Sequence, residues 1–276
     1  MRRFYQESWQ GIPFTSFAHI SFFRLAESRF YSTFYEELFR RYKSWDDLPA
    51  KWRANKTWDA AWLSRQIAEI AGRRPDATAP LKILSIGSGV GFMEKTLLQK
   101  RPDIELHINE PSTVGMKWIR RLIPPDRVYI GKPAACIPSD VTFDLIYLSA
   151  VDYGIPTPEL GQLLRLLRGQ LAPHGALICI SASLLQEDSF VGSLVNVLKN
   201  IIRGFLHYAG IRRQQFWGWR RTAKEYAGLL ARAGFVDIRD GFLDDGFESY
   251  WIRGLPQSQN GQLNLAAPGS IKDSPK

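Results

Sequence analysis

Cysteine is almost missing from this chain: Cys136 and Cys179 are the only two, far apart in sequence. With no C-x-x-C pair and no Cys/His spacing suited to a metal, neither a disulfide framework nor a metal site is expected. The thiols are expected to be reduced, in a cytoplasmic compartment. Long hydrophobic runs are also lacking. No stretch reaches the ~18 uninterrupted apolar residues of a membrane span, and the opening MRRFYQESWQGIPF has neither the apolar centre nor the small-residue cleavage site of a secretory leader. Acidic residues are in deficit, 27 against 36 Lys and Arg, giving a net charge of +9 and a pI near 9.6. That balance favours an anionic partner, whether nucleic acid, a phosphorylated substrate or an acidic membrane surface. The deficit is sharpest over residues 189–221, which contain no Asp or Glu but carry Lys199, Arg203, Arg212, Arg213, Arg220 and Arg221.

What is present is enough for a substantial core. At 276 residues and 45% hydrophobic content, the chain fits one large soluble domain or a domain of about 200 residues with an appendage. About half of its aromatic residues fall within residues 1–75. Phe23, Phe30 and Phe34 recur at helical spacing over 22–42, and Trp58 and Trp62 share a face of a second expected helix over 56–73. This segment is expected to be a helical cap that packs on the following domain, lines an acceptor pocket, or does both. His19 within it has no partner pattern and is expected to be structural. Residues 73–80, RRPDATAP, form a proline-bounded linker. Beyond it, short apolar runs at 82–86, 105–109, 127–130, 143–148 and 176–180 alternate with helical patterns at 90–100, 113–122 and 158–171. Such alternation predicts a doubly wound parallel sheet. A helix over 222–233, ended by Gly234, leads to strands at 235–239 and 247–253. Their short connection makes them antiparallel neighbours. Residues 257–276, rich in Ser, Gln, Asn, Gly and Pro, are expected to be disordered. The organisation is thus a cap at 1–75, a core domain at 76–256 with an insertion at 186–221, and a tail.

The chemistry concentrates in residues 81–112. An apolar strand runs into Gly87, Gly89 and Gly91, a helix follows, and a second strand ends at Glu110. Glycines suit a place where a ligand lies against backbone. A carboxylate about 20 residues further on, at the next strand's tip, can accept from both ribose hydroxyls. A dinucleotide fingerprint requires a small residue five places after the first glycine, where this chain has Phe92. A phosphate-binding P-loop requires Gly-Lys-Ser/Thr, which does not follow.

The pattern Leu84-Ser85-Ile86-Gly87-Ser88-Gly89-Val90-Gly91 resembles motif I of the class I S-adenosylmethionine (SAM) methyltransferases. The resemblance extends over most of residues 82–253. It includes Glu110 at the ribose-binding position, the Phe143-Asp144-Leu145-Ile146 strand, the approach to strand five at 163–175, the LLARAGFV lead at 229–236, and a closing antiparallel strand seven. It implies a Rossmann-like α/β fold with a seven-stranded sheet and SAM as cofactor. The cofactor would be held by Ser85, Ile86, Gly87, Ser88, Gly89, Gly91, Phe92, Glu110, Pro111, Ala134 and Ser149. Two positions depart from the family's pattern. Ser85 replaces an acid that helps to organise the methionine end. Lys132 stands where an aspartate commonly reaches adenine, so backbone near Ala134 is expected to take that role.

Methyl transfer chiefly requires positioning of the acceptor and removal of its proton. Asp152, as base or orienting carboxylate, and Tyr153, as stacking or hydrogen-bonding group, follow strand four. His207 in the insertion is the histidine candidate for a base. No Asn/Asp-Pro-Pro-Tyr/Phe motif follows strand four, which weighs against amino-group methylation of nucleic-acid bases. In the insertion, Val191, Leu194, Val195, Leu198, Ile201, Ile202 and Phe205 share a helical face, with Lys199, Arg203 and His207 opposite. Such a helix suits either a roof over the acceptor pocket or an anionic membrane interface. The expected activity is O-methylation of a small molecule, such as a sugar or a lipid- or phosphate-linked intermediate. RNA methylation and a non-catalytic scaffold of the same fold are the alternatives.

Overall fold

The computed structural model describes residues 2–6, 8, 9, 12, 13, 28–74, 78–181, 184, 198, 201, 202, 205, 206, 209, 215–243 and 249–257. His19, His207, most of the insertion and residues 258–276 lie outside them, and with them the expectations for those positions.

Three short strands open the described chain, β1 (Arg2–Gln6), β2 (Ser8–Trp9) and β3 (Ile12–Pro13), followed by helices α1 (Ser28–Arg41) and α2 (Ala50–Ala71). The core then runs β4 (Leu81–Ile86), α3 (Phe92–Lys100), β5 (Ile104–Glu110), α4 (Met116–Ile119), β6 (Val128–Ile130), α5 (Pro133–Cys136) and β7 (Phe143–Ser149). It continues with α6 (Thr157–Gly169), β8 (Leu171–Ser181), β9 (Gln215–Arg220), α7 (Ala223–Arg232), β10 (Phe235–Phe242) and β11 (Tyr250–Pro256). Seven strands form one sheet in the order β10-β11-β8-β7-β4-β5-β6, with β11 antiparallel to both neighbours. This is the expected doubly wound sheet with its antiparallel seventh strand. Strand order reverses direction beside β4, which places a crevice at the carboxyl ends of β4, β5 and β7.

Both faces of the sheet are covered, which is why β7 is apolar apart from Asp144 and its terminal Ser149. Side-chain alternation assigns each residue its layer. Ile83, Leu145, Tyr147, Ile178 and Ile180 face α2 and α3, meeting Ala60, Leu63, Ile67, Met93 and Leu97. Leu84, Ile86, Ile146, Leu148 and Leu177 face α6 and α7, meeting Leu160, Leu164, Leu167, Leu229 and Leu230. A third cluster joins Phe34, Tyr35, Leu38, Phe39 and Leu48 of the N-terminal segment to Val90, Phe92 and Trp118. The cap therefore packs directly on the glycine turn and on α4. The bulk of Phe92 serves this contact, its ring lying 5.6 Å from that of Trp52.

Several local expectations change. The N-terminal cap is not wholly helical, because β1 pairs antiparallel with β9. Residues 216–219, at the end of the expected insertion, are part of that ribbon. Pro173, His174 and Gly175 precede the apolar run expected as a strand at 176–180, yet they are continuous with that strand. They lie within β8, whose register against β7 shifts between Phe143 and Leu145 to absorb them. The helical pattern expected at 113–122 is realised only in part, and Ser112 ahead of it is held by other contacts. Its Oγ meets Ser32 Oγ at 3.1 Å and its N–H donates to Glu110 Oε1, and the helix there spans only Met116–Ile119. Thr222 does cap α7, in a reciprocal box with Glu225.

Candidate active site

The turn after β4 is built by three residues with positive φ, Gly87 (70°), Gly89 (61°) and Gly91 (74°). Their glycine requirement has different causes. A Cβ on Gly87 would stand 2.6 Å from Val151 Cγ2, and one on Gly91 would overlap Ile119. Only the Cβ position of Gly89 is open, with Tyr35 Oη alone within contact at 3.6 Å. Two of the three glycines thus permit close packing by the protein itself, and the middle one borders free space.

That space is a cavity of about 290 Å³, near the lower end of ligand-sized pockets. Ser85, Ile86, Gly87, Ser88, Gly89, Phe92, Glu110, Pro111, Ser149 and Tyr153, all singled out in the sequence, are brought together on its wall. Gly91 and Ala134 are not on the wall. Gly131, Lys132 and Pro133 line the expected adenine end instead, beside Asn109. Asn109 Nδ2 fixes that end by donating to the carbonyls of Tyr129 and Gly131, each at 3.0 Å.

Glu110 is buried at the tip of β5. Its Oε2 accepts from Gly89 N–H at 2.9 Å, its Oε1 from Ser112 N–H at 3.2 Å, and the Tyr35 hydroxyl adds a further hydrogen bond. Burial outweighs these donors and pushes its carboxyl up to about 7.

Asp152 does not line the cavity. It is fully buried, and its Oδ2 accepts from Ser181 Oγ at 2.7 Å and from the Tyr226 hydroxyl. Arg221, also fully buried, donates to the carbonyls of Asp152 (2.8 Å) and Ile155. These contacts hold the 3₁₀ turn Asp152–Gly154 that carries Tyr153 onto the wall. Burial raises the Asp152 carboxyl above its ordinary range.

Two of the charged residues on the cavity wall, Glu94 and Lys56, were not anticipated from the sequence. Ser85 pairs in register with Tyr147 on the face covered by α3, and Glu94 in the first turn of α3 completes a buried triad. Glu94 Oε1 accepts from Ser85 Oγ at 2.7 Å and from Tyr147 Oη at 2.8 Å. The acid missing from the strand is thus present nine residues later, on the helix. The second residue is Lys56 of α2, whose Nζ donates to Asp59 Oδ2 at 2.7 Å and Ser149 Oγ at 2.9 Å. Lys56 heads the buried stripe Ala60, Leu63, Ile67, Ile70 at i, i+4, i+7 spacing. A charge in such a stripe was the available signal.

The cavity suits the implied cofactor on three observations. A carboxylate stands at the strand tip where ribose hydroxyls would donate. The Cβ side of Gly89 is open, with Tyr35 Oη as its neighbour among the described residues. Two buried wall atoms, Ser88 Oγ and Glu94 Oε2, have no hydrogen-bond partner among the described residues.

No family model and no curated protein sequence matches this chain. Among solved structures, a candidate O-methyltransferase of Nostoc punctiforme PCC 73102 is similar over 82% of this chain and 60% of its own, with a TM-score of 0.55 and 16% identity. Human N-acetylserotonin methyltransferase, solved in complex with SAM, is similar over 84% and 57% respectively, at a TM-score of 0.50 and 15% identity. The CurJ carbon methyltransferase is similar over 72% and 54%, at 0.50 and 15%. The chain spans less than two thirds of the length of each. Its sheet has the class I SAM-methyltransferase fold.

Proposed function

We propose that the protein is a SAM-dependent methyltransferase that methylates a hydroxyl of a small molecule. The observation that carries this is the joining of the glycine turn to Glu110 on one ligand-sized cavity at the sheet's crossover point. When bound, SAM supplies an electrophilic methyl group. Glu110 would accept from its ribose, the Ile86–Gly89 backbone would lie along it, and Gly131–Pro133 with Asn109 would border the adenine. Tyr31, Tyr35, Trp52, Phe92, Tyr153 and Ile155 give the cavity a wall that is mostly apolar and aromatic. Such a wall excludes water and favours a flat or apolar acceptor surface, with Tyr153 orienting the hydroxyl. The named relatives support small-molecule methyl transfer, and a carbon methyltransferase among them means that the fold does not choose the methylated atom.

Calorimetric titration with SAM and S-adenosylhomocysteine tests the cofactor. Micromolar binding is expected, and no heat at millimolar ligand sinks the proposal in favour of a scaffold. Mass spectrometry of reactions with hydroxylated aromatic, glycosidic and prenyl-phosphate acceptors then tests the acceptor class. A product gaining one methyl on oxygen is expected.

Residues 198–205 bear on where the enzyme works. Leu198, Ile201, Ile202 and Phe205 are 58, 63, 49 and 69% exposed, at i, i+3, i+4 and i+7. This supports the interfacial use of the insertion, against an anionic bilayer, over its use as a roof.

A further inference from the structure

Resting on the cofactor assignment above, we propose that Glu94 and Lys56 form a two-charge clamp for the amino-acid end of the bound nucleoside. The N-terminal cap is then part of the cofactor site as well as a cover for the acceptor. An α-amino acid presents an ammonium and a carboxylate a few bonds apart, and Glu94 and Lys56 put one ionisable group of each sign on the cavity wall.

Glu94 is 2% exposed and lines the cavity. One carboxylate oxygen is saturated by Ser85 and Tyr147, while Oε2 has no hydrogen-bond partner among the described residues. A buried carboxylate oxygen left without a donor is costly, and a ligand ammonium would remove that cost. Burial raises the Glu94 carboxyl, and nearby Lys56 partly offsets this. Glu94 also sits in the first turn of α3, where a negative charge is favoured by the helix N-terminus.

Lys56 reaches the same cavity from α2. Two of its three donor hydrogens are accounted for by Asp59 and Ser149. The third is available for a ligand carboxylate. Asp59 balances the Lys56 charge at 2.7 Å in the free protein and keeps it at the wall. Ser149, at the end of β7, ties the lysine to the sheet.

The clamp makes a prediction specific to one half of the ligand. Wild type, Glu94→Gln and Lys56→Met are titrated calorimetrically with S-adenosylhomocysteine and with 5′-methylthioadenosine, which lacks the amino-acid group. Each substitution is expected to weaken S-adenosylhomocysteine by about 10- to 100-fold, the scale of a hydrogen bond to a charged group, while leaving methylthioadenosine unchanged. Unchanged methylthioadenosine binding also shows that each variant is folded. If both variants bind S-adenosylhomocysteine like wild type, or lose both ligands equally, the clamp is wrong while the cofactor assignment stands. If wild type binds neither ligand, the cofactor assignment fails and the clamp with it.

Discussion

At the scale of single residues, Glu110 is the most consequential group because its ionisation and its ligand role oppose each other. Its carboxyl is held up at about 7, against 4.5 ordinarily, by burial at the strand tip. A group raised on folding contributes stability that is complete below pH 4.5 and is lost as pH rises through about 7. The ligand-free protein should therefore lose part of its stability between those limits. Glu110→Gln should remove that part of the slope, so that the variant's melting temperature gains on wild type from pH 5 to pH 8. Ligand affinity runs the other way, since ribose hydroxyls need the ionised acceptor. The Kd for S-adenosylhomocysteine should rise as pH falls from 8 to 6, by at most about tenfold for each pH unit below the pKa. Calorimetry across that range checks it, and a flat profile would mean that Glu110 stays ionised or does not touch the ligand. The proposed roles of Glu94 and Lys56 also belong to this scale. Neither was legible by position. The sequence pattern pointed to Ser85 because charge usually sits on the strand. Only the register of Ser85 with Tyr147, under α3, shows where the acid went.

At the scale of elements, the turn after β7 is fixed from outside the sheet. Gly218 of β9 lies so close to the Tyr153 carbonyl that a Cβ would overlap it. Gly218→Ala should destabilise the protein by about 1–3 kcal/mol in urea unfolding, because neither backbone can give way without moving the other. The same packing separates Asp152 from the role expected for it. Its carboxylate is spent on Ser181 and Tyr226, so Asp152→Asn should keep the methyl-transfer rate within a factor of about three, whereas removing a general base costs about 10²–10⁴. A loss on that larger scale, with S-adenosylhomocysteine binding intact, would restore Asp152 as the base. Elements set by local pattern were legible. The largely apolar strand β7, the Leu160, Leu164, Leu167 stripe of α6 and the Thr222–Glu225 box of α7 all follow from nearest-neighbour rules. The ribbon of β1 with β9 was not, because its partners lie at opposite ends of the chain and no local period names a partner. Residues 173–175 misled for a related reason. Pro and Gly usually break a strand, but an irregular register within β8 accommodates them here.

At the scale of the whole molecule, the +9 charge is not spent on the cavity. Lys56 and Lys132 are the only basic side chains on the cavity wall among the described residues, and two acidic ones, Glu94 and Glu110, line it as well. In the sequence the excess is greatest over 189–221, with six basic residues and no acidic one; Arg221 of these is buried, and Leu198, Ile201, Ile202 and Phe205 in the same segment are exposed. Burying four such side chains in a bilayer interface would recover roughly 1.5–3 kcal/mol each at full burial. Each nearby lysine or arginine adds about 1 kcal/mol on an anionic surface. No described helix is long and apolar enough to cross a membrane. Wild-type protein should float with phosphatidylserine-containing liposomes at low salt and much less with neutral ones. Ile201→Asp/Phe205→Asp should abolish flotation by removing the apolar part, and Lys199→Glu/Arg203→Glu should weaken it and reduce its salt dependence. Equal flotation of all three proteins would remove the membrane. Failure of wild type to float, together with a dimer by light scattering that the Ile201→Asp/Phe205→Asp variant dissociates, would assign the same segment to self-association.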